Sequence, residues 1–166
     1  FLSDGESSRK HLKINKLILN RKKQAIKAGK IIGIKKSIFG NFPDNSMDSV
    51  PLLKIIQFIE KHIKKIKPDT IFTHFESDLN VDHQITSKAV ITACRPTKNQ
   101  TVKSILFFEI LSSSEWNISI KNKSFKPNYF VDISKSIKFK LKALRHYKRE
   151  MRTWPHPRSI EGVKLL

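Results

Sequence analysis

The feature that most limits how this chain can fold is the alternation of helix-patterned and strand-patterned segments between residues 50 and 108. Residues 50–67 carry Leu52, Ile55, Ile56, Ile59, Ile63 and Ile66 on one stripe, the spacing of a helix with one buried face. Asp48 and Ser49 are placed to cap it, Pro51 suits its first turn, and Pro68 ends it. Thr70-Ile71-Phe72-Thr73 then reads as a strand, and residues 81–94 as a second helix closed by Pro96. Val102 to Phe108 is nearly continuous apolar sequence, the pattern of a strand buried on both faces of a parallel sheet.

Strands alternating with helices predict an α/β fold, a Rossmann-like, largely parallel sheet flanked by helices. The flanking segments extend the pattern. Residues 9–33 read as helix, with Gly33 suited to the position just past its end. Ser37-Ile38-Phe39 and Tyr129-Phe130-Val131 read as short strands. Ser134 can cap a helix bearing Ile137, Leu141, Leu144, Tyr147 and Met151 on one face, and a further helix starts near Ser159. Phe1-Leu2 reads as the tail of a strand, with Ser3-Asp4-Gly5 as the turn after it. The chain therefore reads as beginning inside an element, which is the expectation for a fragment. Ligands of such sheets bind outside the carboxyl ends of the strands, so the residues after each strand are where chemistry is expected.

Composition narrows the function classes. The chain has 166 residues, about one domain's worth, and 39% of them are hydrophobic, which excludes a disordered polymer. The net charge of +19 would attract nucleic acid, an anionic membrane surface or phosphorylated ligands. Lysine supplies most of it and is spread along the chain, as on a solvated surface. One cysteine, Cys94, rules out a disulfide framework or a cysteine zinc site within one chain and reads as a buried thiol. No apolar run approaches the ~18 residues of a membrane span. His11, His62 and His146 lie on polar helix faces and read as solvated.

The stretch Thr73-His74-Phe75-Glu76-Ser77-Asp78-Leu79-Asn80-Val81-Asp82-His83 joins a strand to a helix, with His83 in the helix's first turn. A neutral imidazole there can bind a metal, and Asp82 can support it or orient a bound water. The same residues also suit plain capping, since Asp78 and Asn80 are good N-cap types and acids favour helix N-termini. On the residues alone both readings stand.

Asp78-Leu79-Asn80-Val81-Asp82-His83 resembles the D-x-H-x-D-H motif that follows a strand in the LmbE/PIG-L de-N-acetylases. The resemblance implies that His83 is a Zn2+ ligand and Asp82 a partner of the acid–base machinery. Asn80 replaces the motif's first His. An amide cannot shuttle a proton, so His74 is its expected substitute in catalysis, and Asn80 is expected to contact substrate. Arg21 matches the Arg of the family's R-x-x-E helix motif, with Gln24 in place of the Glu, which implies sugar binding. Asp44, in Phe42-Pro43-Asp44-Asn45, matches an Asp that holds sugar hydroxyls. His156 and Arg158, set between prolines in a stiff loop, are placed to reach substrate. Phe1–Arg9, Arg95-Pro96, Phe108-Glu109 to Trp116, Pro127-Asn128, Val131–Ser134 and Pro155–Ser159 complete the likeness, the later ones to a bacterial branch often associated with surface-polysaccharide synthesis.

The implied function is zinc-dependent removal of an N-acetyl group from an N-acetylglucosamine-type sugar or conjugate. The implied partner is an N-acetylated amino sugar, on a phosphate-linked carrier if the charge is functional. A cytoplasmic setting is expected, and a homo-oligomer is compatible with the reading. The family's H-P-D-D motif, source of its other zinc ligands and its general base, does not occur, since His156-Pro157 is followed by Arg158. That motif ends the family's first strand, so the expectation is a single incomplete domain over residues 1–166, lacking its first strand. Two rival readings are a catalytically inactive sugar-binding member of the fold and a basic nucleic-acid-binding protein. The second lacks a recognisable module or an aromatic–basic platform.

Overall fold

The computed structural model describes residues 1–9, 12–118 and 124–165. In chain order its elements are α1 (Ile14–Ile31), a 3-10 turn (Met47–Ser49), α2 (Leu52–Ile66), β1 (Thr70–His74), α3 (Val81–Ala93), β2 (Ser104–Phe108), α4 (Ile137–Leu144) and α5 (Ile160–Leu165). They gather into two units, one of Phe1–Pro43 with Lys126–Leu166 and one of Asp44–Phe125.

The second unit is the strand–helix–strand core that the alternation predicts. β1 and β2 are parallel, in a register that sets Thr70 opposite Ser104 and His74 opposite Phe108. Parallel neighbours need a crossover, and α3 supplies it. α2 packs on α3, with Ile55 and Ile56 from α2 and Ala89, Val90 and Ala93 from α3 buried. The alanines keep the face of α3 low enough for the α2 isoleucines to reach it. α2 ends where Pro68 requires, with Lys67 in the left-handed region (φ 52°) and its N–H on Ile63 O at 2.7 Å.

Two expectations for this unit are corrected. Asp48 and Ser49 do not cap α2. They belong to the 3-10 turn, Pro51 holds the cap position with no side-chain bond, and the Ser49 hydroxyl donates to Ser46 O at 2.7 Å. Nor is the apolar strand buried on both faces, since Phe107 is exposed, as is Phe72 on the paired strand. Among the described residues the sheet has only these two strands, so each is an edge.

In the first unit, α1 begins at Ile14 rather than near residue 9, behind Lys13, which offers no capping side chain. His11 lies outside the described residues. The end of α1 is as expected: Gly33 has φ 78°, its N–H meets Lys30 O, and Ile34 N–H reaches back to Gly29 O at 2.9 Å. That pair of bonds is a Schellman closure, which only a residue tolerant of positive φ completes cheaply. Phe1 to Asp4 runs beside residues 38–42. Phe1 N donates to Ile38 O, Gly40 N to Phe1 O, Phe42 N to Leu2 O and Asp4 N to Phe42 O, with one parallel bridge between Ser3 and Phe42. Ser37–Phe39 is thus mate to the first residues without being a regular strand. A Cβ on Gly40 would stand 2.8 Å from Leu2 O, so the close pairing requires glycine there.

α4 packs against α1, and Ala25, Ala28 and Ala143 are buried. α4 stops at Leu144, before Tyr147 and Met151, and Ser134 donates its hydroxyl to Asp132 instead of capping the helix. Tyr129–Val131 forms no strand and is exposed. α5 follows buried Ser159, whose hydroxyl accepts Gly162 N–H at 2.8 Å. Among the described residues no helix is long and apolar enough to cross a membrane.

Ile55→Ala should lower stability by about 2–5 kcal/mol in chemical denaturation, because Ile55 is fully buried. Leu53→Ala on the exposed side of the same helix (62% exposed) should change it by less than about 0.5 kcal/mol.

Candidate functional site

The carboxyl end of β1 gathers the polar residues of the second unit. Beyond His74 the chain keeps one more tie to the neighbouring strand, Phe75 N–H to Phe108 O at 3.1 Å, then turns through Asp78 N–H to Phe75 O. Asn80 caps α3, its side-chain oxygen accepting Asp82 N–H at 2.8 Å. The capping reading of Asn80 therefore holds. Its amide nitrogen also donates to Asn45 Oδ1 at 2.7 Å.

Asp78 is the centre of the cluster. Its carboxylate is completely buried and accepts from the hydroxyls of Ser113 and Ser114, the latter at 2.5 Å, from Asn80 N–H at 2.9 Å and from His83 Nδ1 at 2.9 Å. Burial pushes this carboxyl up, but the Ser113 and Ser114 hydroxyls, the Asn80 amide and His83 outweigh it and hold it below its ordinary range. An ionised acceptor fixes the His83 tautomer: Nδ1 carries the hydrogen, and Nε2 is left as the nitrogen able to bind a metal or a proton.

The His74 ring stacks on that of His83, with centroids 4.2 Å apart and planes 17° from parallel, and leans on Phe108 at 5.0 Å. Burial, reinforced by neighbouring His83 and partly offset by Asp78, lowers His74 to about 4, so its ring is neutral near pH 7. Its Nδ1 is buried with no hydrogen-bond partner among the described residues. Asp82 faces elsewhere. It is buried, and its two oxygens accept the backbone N–H groups of Asn45 at 2.7 Å and Met47 at 2.9 Å. It thereby anchors the loop that Asp44 begins, while Asp78 supports His83.

In the first unit, Arg21, His156 and Arg158 belong to a second cluster, built on two glutamates that the sequence reading did not single out. Buried Glu6 meets Arg21 at 2.8 Å, Arg149 at 3.3 Å and Arg9 at 3.5 Å. Glu150 meets Arg21, Arg9 at 2.7 Å and Arg158 at 3.3 Å. Burial would raise the Glu150 carboxyl, but hydrogen bonds and charge from Arg21 and Arg9 hold it low. The Arg21 guanidinium also lies 5.8 Å from the Tyr147 ring centroid. His156 Nδ1 accepts Arg158 N–H at 3.0 Å, fixing the loop after the cis Trp154–Pro155 bond. In a chain with 33 basic and 14 acidic side chains, nothing marks which acids will be buried.

The family model for PIG-L, described as GlcNAc-PI de-N-acetylase, matches residues 1–94, the stretch that contains the Asp78–His83 turn. The chain belongs to the PIG-L family. Among solved structures, a conserved protein from Thermus thermophilus superposes with a TM-score of 0.71 at 20% identity, covering 99% of this chain and 68% of that one. An N,N'-diacetylchitobiose deacetylase from Pyrococcus horikoshii, solved with an inhibitor, superposes with a TM-score of 0.66 at 22% identity, covering 90% of this chain and 58% of that one. At these identities the likeness establishes the fold, a parallel sheet flanked by helices. No curated protein matches the chain in sequence.

The resemblance implies a zinc ion for a PIG-L chain, and the residues can be tested against it. A catalytic zinc takes three protein ligands and a water. His83, with Nδ1 held by a buried carboxylate, has the arrangement of one such ligand. Among the described residues, no group of three or more His, Cys, Asp or Glu side chains is placed to hold a metal. They therefore fit one corner of a zinc site and do not fit a whole one.

Two measurements check this electrostatics. The folded chain keeps His74 neutral down to about 4, whereas the unfolded chain binds its proton near 6.5, so stability should fall as pH drops across that window. Depressed Asp78 adds loss in the same direction below its ordinary 3.8. Urea midpoints against pH should show the first loss in the wild type and a flatter profile in His74→Gln. Glu6→Ala, which strips the buried counter-charge from three arginines, should cost about 3–5 kcal/mol by the same assay.

Proposed function

We propose that this PIG-L chain acts in the hydrolysis of the N-acetyl group of an N-acetylglucosamine-type sugar, giving acetate and a free amino sugar. The observation that carries the reading is the Asp78–His83 pair, stacked on His74 at the carboxyl end of β1, in a chain of this family. The N,N'-diacetylchitobiose deacetylase, which shares the fold, lends support. Zinc is the metal this reading assigns, with His83 as the ligand that the described residues supply.

The chain's own residues have distinct parts in this proposal. Asp78, ionised and saturated by hydroxyl and amide donors, orients His83. His74, neutral at rest, is assigned to take up the proton released by the attacking water and pass it to the leaving nitrogen, for which Asn80 has no titratable group. Asp82 positions the loop that carries Asp44, and Asp44 and Asn80 are assigned to the sugar. Arg21, already engaged by Glu6 and Glu150, contributes by fixing those carboxylates. The surplus positive charge fits a phosphate-linked carrier on the sugar. Faster turnover of a carrier-linked than a carrier-free sugar at low salt, with the gap closing at high salt, is the expected sign of it.

A second reading, sugar binding without turnover, is favoured by Asn80 in place of the motif's histidine and by the single metal corner. The separating experiment measures acetate release from N-acetylglucosamine with zinc added. The wild type should turn over, His83→Ala should not, and Asp78→Asn should lose roughly 10–100-fold, as a group that orients a ligand does. Sugar binding with no acetate released by the wild type would decide for the second reading.

A further inference from the structure

The loop that Asp82 anchors brings Asn45 against Asn80, the cap of α3. Asn45 is exposed and has φ 51°. Asparagine tolerates that left-handed region better than most residues. This accounts for an Asn at the position, but not for what its side chain does.

The two amides are tied in a closed circuit. Asn45 N–H donates to Asp82 Oδ2 at 2.7 Å, Asp82 N–H donates to Asn80 Oδ1 at 2.8 Å, and Asn80 Nδ2 donates to Asn45 Oδ1 at 2.7 Å. The circuit settles which way each amide faces. A backbone N–H only donates, so the atom that meets Asp82 is the Asn80 oxygen. Asn80 must then present its nitrogen to Asn45, and only the oxygen of Asn45 can accept it. Asn45 Nδ2 is therefore turned away from Asn80, and it has no hydrogen-bond partner among the described residues.

Asn80, by contrast, is largely occupied by the fold. Its N–H goes to Asp78 Oδ1 at 2.9 Å, and its carbonyl accepts His83 N–H at 3.1 Å and Gln84 N–H at 3.2 Å. Asn80 thus bonds to Asn45 on one side and to the backbone of His83 on the other. The unused donor in this arrangement belongs to Asn45, and it is held in place before any ligand arrives. A donor fixed in advance loses little conformational freedom on binding. Its neighbour Asp44 supplies the opposite function, since a carboxylate accepts where an amide NH2 donates. A sugar hydroxyl does both.

We infer that Asn45 is a specificity-determining residue, whose Nδ2 donates a hydrogen bond to a hydroxyl oxygen of the substrate sugar. The inference rests on the sugar reading of the His83 site and adds a contact to it. A site built to hydrogen-bond a substrate hydroxyl rejects the analogue that lacks it.

The test measures binding of N-acetylglucosamine and of its 3-deoxy, 4-deoxy and 6-deoxy analogues to the whole chain by amide-resolved NMR, with acetate release from the parent sugar followed alongside in the presence of zinc. Two variants separate the donor from the loop. Asn45→Gly keeps the positive φ and removes the side chain. Asn45→Asp keeps an oxygen facing Asn80 Nδ2 and replaces only the donor; it is compared at high salt, where its added charge is screened. Both should weaken N-acetylglucosamine roughly three- to tenfold, the contribution of one neutral hydrogen bond, and raise KM with kcat little changed. One deoxy sugar should bind the wild type as weakly as the parent sugar binds Asn45→Gly, and should lose nothing further in that variant. Wild-type affinity in Asn45→Asp, or equal loss for all four sugars in Asn45→Gly, would mean that Asn45 serves only the loop; either overturns the proposal and leaves the sugar reading standing. A wild type that binds none of the sugars overturns both. Binding without acetate release sinks the hydrolytic reading alone, since the affinities carry this test.

Discussion

A fully buried carboxylate is tolerable only when every lone pair is answered, and much of the second unit is arranged to answer Asp78. Two hydroxyls, one backbone amide and one imidazole converge on it. They come from separate stretches of chain: the turn after β1, the first turn of α3 and the Ser113-Ser114 loop beyond β2. The charge could not stay ionised in that position without them. Satisfying it therefore fixes where β1 ends, how α3 starts and where the loop after β2 returns. The orientation of His83 follows as a consequence.

The frame of the fold was legible because it rests on local signals. The isoleucine stripe, Pro68 and the β-branched run at Thr70 set α2 and β1, and Gly33 set the end of α1. What the residues did not disclose was long-range. Asp48 and Ser49 have the chemistry of caps, yet Asp82, more than thirty residues away in sequence, takes the loop's amides, and a 3-10 turn forms in their place. Residues 102–108 have the pattern of a strand covered on both faces, yet an apolar run does not say how many strands will flank it.

The site was legible to the same degree. The strand-to-helix turn and His83 could be placed from sequence and resemblance. Which acid faces His83 could not: Asp78 and Asp82 are four residues apart, and only the three-dimensional path of the turn sends one to the imidazole and the other to the loop. The partners of Arg21 were equally hidden. Glu6 and Glu150 lie at opposite ends of the chain, and nothing local separates them from solvated acids.

The bond between Asp82 and the loop after Pro43 has an evolutionary side. Asp82 grips backbone N–H groups, which every residue except proline possesses. The anchor therefore does not read the loop's side chains. Asn45, with φ of 51°, and Met47, which is buried, are constrained by their own surroundings. Positions 46 and 48 are not held by the anchor and can be exchanged without moving the loop. A lineage could thus retune the chemistry that this loop presents while its scaffold stayed where it is.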